Sequence, residues 1–221
     1  MTGAVLSLPE SFTTLGWMGL VALSWGFWRS GDWKRLLDPA RSNLFLGASV
    51  AVLGLWQIRA GIQPGLEFHL IGVSGATLMF GPWRGILAGL IAMAGSILGG
   101  HGEWANLGVE ALVFVAVPAF VTYGLLRLAE RKLPHHFFIY VLVNGFFGVG
   151  LATIAIGLVA TALMALSGTY KLDYLLEHYS PYYILLAWSE AFSTGMAITL
   201  MAVYKPDWLE TFDDNLYIKN K

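Results

Sequence analysis

The sequence predicts an all-α, polytopic membrane bundle of about seven transmembrane helices, and three observations carry that reading. Apolar residues make up 57% of the chain and charged residues only 12%, about half the charge of an ordinary soluble domain. The mean hydropathy is +0.64. Apolar runs recur at close to the ~20 residues that span a bilayer, each bounded by charge or proline. A formal net charge of −1 offers no basic field for nucleic acid, so that class of partner is excluded. The absence of cysteine removes disulfides, thiolate metal sites and cysteine nucleophiles, and any metal site must use nitrogen and oxygen.

The first run, Phe12 to Trp28, has no Lys or Arg before it and no small-residue cleavage pattern after it, so it reads as a retained span. The second runs from Asn43 to Ile62. The third, Leu66 to Gly81, and the fourth, Gly85 to Gly100, are short and glycine-rich, the pattern of helices packed closely inside a bundle. Leu107 to Leu128 is the fifth. The sixth, Phe137 to Gly168, is too long to cross upright and must tilt or break, with Asn144-Gly145 the expected irregularity. Pro181 to Tyr204 is the seventh. Residues 1–221 form a single integral membrane domain, with 1–11 an extracytoplasmic segment and 205–221 a solvated cytoplasmic tail without a lipidation signal. Trp28, Trp83, Trp104, Tyr182, Tyr183, Tyr204 and Trp208 fall near span ends, where aromatic residues form an interfacial belt.

Lys and Arg concentrate in alternate loops: Arg29 to Arg41, Arg84, Arg127 to Lys132, and the tail from Lys205, leaving only Arg59 and Lys171 opposite. The positive-inside rule then places the N-terminus outside and the C-terminus in the cytoplasm. That topology sends His69, His101 with Glu103, and His178 with Asp173 and Glu177 to the extracytoplasmic side, and His135 and His136 to the cytoplasmic side. Imidazole and carboxylate together suit a divalent transition metal.

His69 lies in Glu67-Phe68-His69-Leu70, where Glu67 and His69 share a face only if the backbone is extended. It reads either as a metal ligand or as a structural histidine with a hydrogen-bond partner. His101, between Gly100 and Gly102, is a loop histidine open to both readings. Glu110 sits near the outer end of the fifth span, and Glu190 is about nine residues, or ~14 Å, into the seventh. Carboxylates in such positions mark a substrate path or bond to helix backbone. The chain has no Walker-type phosphate loop, so ATP hydrolysis would need separate subunits.

His69 to Trp83, HLIGVSGATLMFGPW, with Gly72, Gly75, Gly81 and Trp83, resembles the signature of the CbiM/NikM family, the cobalt and nickel substrate-capture subunits of energy-coupling factor transporters. A second block, Gly100, Gly102, Leu107 and Gly108, is similar at the family's spacing. A third pairs Glu190 with Lys205-Pro206-Asp207-Trp208-Leu209 at the exit from the membrane. The resemblance implies a non-enzymatic permease subunit in a bacterial inner membrane with no intrinsic cofactor, nickel or cobalt as substrate, and coupling to a transmembrane subunit and two cytoplasmic ATPases of an ABC transporter. It carries His69 over as a metal ligand. Family members begin Met-His and use that segment as a clamp; here the chain begins Met1-Thr2-Gly3, with Ser7 where the histidine belongs, and Glu110 stands where the family tends to have Asn. A shifted coordination set of His69, His101, Glu103 and Glu110 is therefore expected, with Glu67, Glu190 and Asn144 as path or structural residues, and small residues such as Gly47, Ala51 and Gly54 offering a docking stripe.

Two other readings stay open. One is a relative of the same fold that binds or senses a partner without moving metal. Gly72-Val73-Ser74-Gly75 also resembles the GxSG motif of rhomboid intramembrane proteases, although such a nucleophile needs a histidine in reach, and His69, five residues earlier, points elsewhere.

Overall fold

A computed structural model of the protein describes residues 8–63, 66–213 and 216–217. Helix α1 (Glu10–Ser30) ends at Gly31, whose φ of 72° closes the last turn. A 3-10 turn (Asp32–Leu37) leads to α2 (Pro39–Trp56), which starts with Pro39 in its first turn and the Asp38 carboxylate accepting from the Ala40 N–H at 3.1 Å.

The expected third span is not one helix. Strands β1 (Arg59–Gln63) and β2 (Leu66–His69) form an antiparallel hairpin, followed by the eight-residue helix α3 (Val73–Phe80). The all-α expectation is corrected here: the sequence alternates Leu66 and Phe68 with Glu67 and His69, a period of two that suits an extended strand better than a helix. The second helix accordingly stops at Trp56 instead of running on to Ile62.

Helix α4 (Pro82–Leu98) is followed by a long helical stretch, α5 (Trp104–Lys132), and by α6 (Phe137–Leu166). Helices α7 (Leu172–His178) and α8 (Ser180–Tyr204) complete the bundle. Among the described residues, three stretches are long and apolar enough to cross a membrane, Trp104–Lys132, Phe137–Leu166 and Leu172–Tyr204, and Pro82–Leu98 is apolar but shorter. The irregularity expected at Asn144-Gly145 is present as a π-helical segment, Tyr140–Gly148, inside α6. Helix α8 shows how the sequence sorts its faces. Ile184, Leu185, Trp188, Phe192, Met196, Leu200 and Val203 are exposed, while Tyr183, Ala187, Glu190, Thr194, Ile198 and Ala202 are buried. An apolar exposed face is what a bilayer solvates.

Glycine permits the closest helix approach. A Cβ on Gly16 of α1 would lie 2.4 Å from the Val109 nitrogen, and one on Gly108 of α5 would lie 2.5 Å from the Gly16 carbonyl carbon, so the α1–α5 contact is made by backbone on both sides. Trp17 Nε1 donates to the Ala105 carbonyl at 3.2 Å beside it.

The segment after α8 differs from the solvated tail that the sequence suggested. Leu209, Phe212 and Tyr217 are buried, the Glu210 N–H donates to the Met79 carbonyl at 2.8 Å, and the Thr211 hydroxyl donates to the Leu78 carbonyl. Both carbonyls belong to the last turn of α3, which has no intrahelical donors for them. The acidic residues that make the tail look soluble are interleaved with apolar ones, and those drive it back onto the bundle.

Candidate metal site

Ring position at His69 is set by four neighbours. The β2 strand places His69 directly across from Arg59 in the hairpin register. Trp56 packs against the imidazole, with ring centroids 4.5 Å apart, and Phe114 lies at 6.3 Å. Trp56 is itself fixed by donating Nε1–H to the Ile71 carbonyl at 2.8 Å. His69 Nδ1 is 3.1 Å from the Leu70 carbonyl, which can only accept, so Nδ1 carries the proton and Nε2 is left with its lone pair, the tautomer a metal ligand needs. His69 lies outside the helical spans, and burial, with a smaller contribution from Arg59, pushes its pKa down to about 4, outweighing the Leu70 bond. The imidazole is therefore neutral at physiological pH.

The ring borders a cavity of about 10 Å³, the space of about one water molecule. Its wall includes Trp56, Arg59, His69, Ser96, His101, Glu110 and Phe114. Three of the four expected ligands thus reach one cavity. His101 enters from the loop after α4, its N–H donating to the Ser96 carbonyl at 3.0 Å, and it is largely exposed. Glu110 is buried at the last residue before a second π-helical segment, Ala111–Ala116, a feature frequent beside functional sites. Glu103 is exposed and does not border the cavity. The Glu67 side chain and residues 1–7, which include Ser7, lie outside the described part of the structure. Among the described residues, no group of three His, Cys, Asp or Glu is close enough to hold a metal.

What the sequence reading missed is Arg59. Its Nε donates to the Trp56 carbonyl at 2.9 Å and its Nη2 to the Ser96 hydroxyl, so the guanidinium is held at the cavity beside His69.

The fold ties Glu190 to the start of α3. Its carboxylate, buried in α8, accepts from the Ile71 N–H and from the Gly72 N–H at 3.2 Å, and also bonds Thr194. Ile71 and Gly72 stand at the N-terminal end of α3, where donors lack intrahelical partners. Gly72 has φ 66°, a left-handed conformation that favours glycine. Asn144 is buried in its π segment with Oδ1 unpartnered, away from the His69 cavity. Ser74 accepts from the Thr122 hydroxyl at 2.9 Å, a neighbour that cannot act as a general base.

Comparison with known proteins fits this architecture. Residues 5–208 match the model of the CbiM family, described as cobalt uptake substrate-specific transmembrane region. The chain belongs to the CbiM family. A curated relative, the cobalt transport protein CbiM of Acetohalobium arabaticum, is 25% identical over 126 residues, covering 56% of this chain and 50% of the relative; the match thus spans about half of that relative's length. Two solved structures, a truncated transition metal transporter and a transition metal transporter, superpose with TM-score 0.78 at 18% identity over 92% of this chain, covering 98% and 92% of theirs. They share the fold. Family and apolar helices together make this a multi-pass membrane protein.

Proposed function

We propose that this CbiM-family chain is the substrate-capture subunit of an energy-coupling factor transporter that imports a divalent transition metal, nickel or cobalt, into a bacterial cell. It sits in the inner membrane as about seven spans, N-terminus outside, and separate ATPase subunits acting through a transmembrane coupling subunit power it. The single observation that carries the reading is the family match over residues 5–208, which includes His69 with its lone-pair nitrogen at a cavity wall. A divalent ion cannot cross ~30 Å of hydrocarbon unaided, so it must exchange water for protein donors on the outer side. Neutral imidazole and carboxylate suit nickel and cobalt alike, and availability and geometry choose between them. His69 is the first ligand in this reading, with His101 and Glu110 bordering the same cavity; Glu103 would join only if the loop moved inward.

A second reading, a relative that binds or senses a partner without metal uptake, is favoured by the Arg59 guanidinium at that cavity. One experiment separates the two. Protein purified in detergent without chelator is assayed for bound nickel, cobalt, zinc and copper by elemental analysis and titration, with His69→Ala in parallel. Near-stoichiometric metal that falls at least about tenfold in affinity in the variant is the expected result; wild-type protein that binds none of the four metals sinks the capture reading.

A further inference from the structure

Three facts meet at the hairpin. Arg59 and His69 are cross-strand partners, both border one cavity, and that cavity has a volume of about 10 Å³, the space of about one water. The Arg59 side chain is tied there by the Trp56 carbonyl and the Ser96 hydroxyl, so its charge does not simply hang in solvent. A permanent cation beside the His69 lone-pair nitrogen opposes the entry of a second cation, and the remaining space leaves no room for an ion that still carries its water. Arg59 is also only partly buried and stands at the first residue of β1, so its side chain can rotate outward without unfolding the hairpin.

We propose that Arg59 is an internal gate on metal loading: its guanidinium holds the place beside His69, and a divalent cation is admitted only when that side chain swings out. This rests on the metal-capture reading above. The arginine makes the empty site compact and discriminates against ions that bind too weakly to displace it. Among the described residues His69, His101 and Glu110 border that cavity with Arg59 without forming a three-donor group.

The test is titration of the detergent-purified full chain with Ni²⁺ and with Co²⁺ in wild type, Arg59→Gln, Arg59→Lys and Ser96→Ala. Arg59→Gln should bind at least about tenfold more tightly than wild type, Arg59→Lys should stay within about threefold because it keeps the charge, and Ser96→Ala, which loosens one tether in an otherwise intact site, should tighten binding by a few fold. Adding His69→Ala to Arg59→Gln should abolish the gain. Wild type and Arg59→Gln binding with equal affinity overturns the gate while leaving metal capture standing. Equal tightening in Arg59→Lys and Arg59→Gln overturns it too, since charge would not be the barrier. If Arg59→Gln fails to purify as a folded species, unchanged affinity in Ser96→Ala overturns it alone. No binding by any variant removes both the gate and the capture reading.

Discussion

At one end, α3 presents the N–H groups of Ile71 and Gly72 to a single buried carboxylate, Glu190 of α8. At the other, the carbonyls of Leu78 and Met79 take donors from the segment after α8. That segment is anchored by Glu210, which pairs with Arg84 through both carboxylate oxygens at 2.6 Å and also with Arg35 and Arg41. An eight-residue helix has little stability of its own, so both ends depend on residues from distant parts of the chain. They differ in solvent. The Glu190 carboxylate is buried, whereas Arg35 and Arg41 are about half exposed, at 52% and 50%, and only Arg84, at 2%, is buried. The end next to His69 is therefore held rigidly, and the end at the tail is held by contacts that pH and salt can loosen.

The largest effect should come from breaking the buried end. Glu190→Ala leaves the Ile71 and Gly72 donors without an acceptor, a cost of about 2–6 kcal/mol at roughly 1–3 kcal/mol per buried group, read as a large drop in thermal unfolding temperature in detergent. Glu190→Gln, which keeps an acceptor oxygen, should lose less than half of that. If the alanine variant is as stable as wild type, α3 does not depend on Glu190. Next comes Arg84→Ala, which removes the buried partner of Glu210 and should cost about 1–3 kcal/mol; a loss equal to that of Glu190→Ala would show the two ends to be equally buried in effect.

The smallest effect is a pH slope. Burial pushes the Glu210 carboxyl up, but the Arg84 bond and charge, with Arg35 behind them, outweigh it and hold the group below its ordinary value of 4.5. A depressed carboxylate stabilises the fold fully above its unfolded pKa, and that contribution fades as pH falls through the lower folded value. Unfolding temperature measured from about pH 6 down to about pH 3 should fall more steeply in wild type than in Glu210→Gln. Parallel curves would remove Glu210 as the titrating group of the tail end.

Long apolar runs were legible in the sequence because hydropathy averages well over a whole span, and α5, α6 and α8 lie where it put them. The break at Asn144-Gly145 was legible from length alone. The third run was not, since a four-residue strand followed by an eight-residue helix has the same mean hydropathy as one short span. The Pro64-Gly65 dipeptide between two short alternating runs was the missed signal, and it would have paired Arg59 with His69. His69, His101 and Glu110 were readable as donors by residue type. That Glu103 stays outside, and that an arginine enters, depends on hairpin register and loop path, which no spacing rule expresses. The tail misled because its carboxylates were counted without asking what Leu209, Phe212 and Tyr217 would do with their apolar surface.

The tail contact also imposes an order of assembly. Thr211 lies 133 positions after Leu78, whose carbonyl it closes. At a synthesis rate of about 5–20 residues per second, α3 leaves the ribosome roughly 7–27 seconds before its C-terminal donors exist. During that wait its last-turn carbonyls lack those donors, so the C-terminal end of α3 is completed only once the chain after α8 has been made.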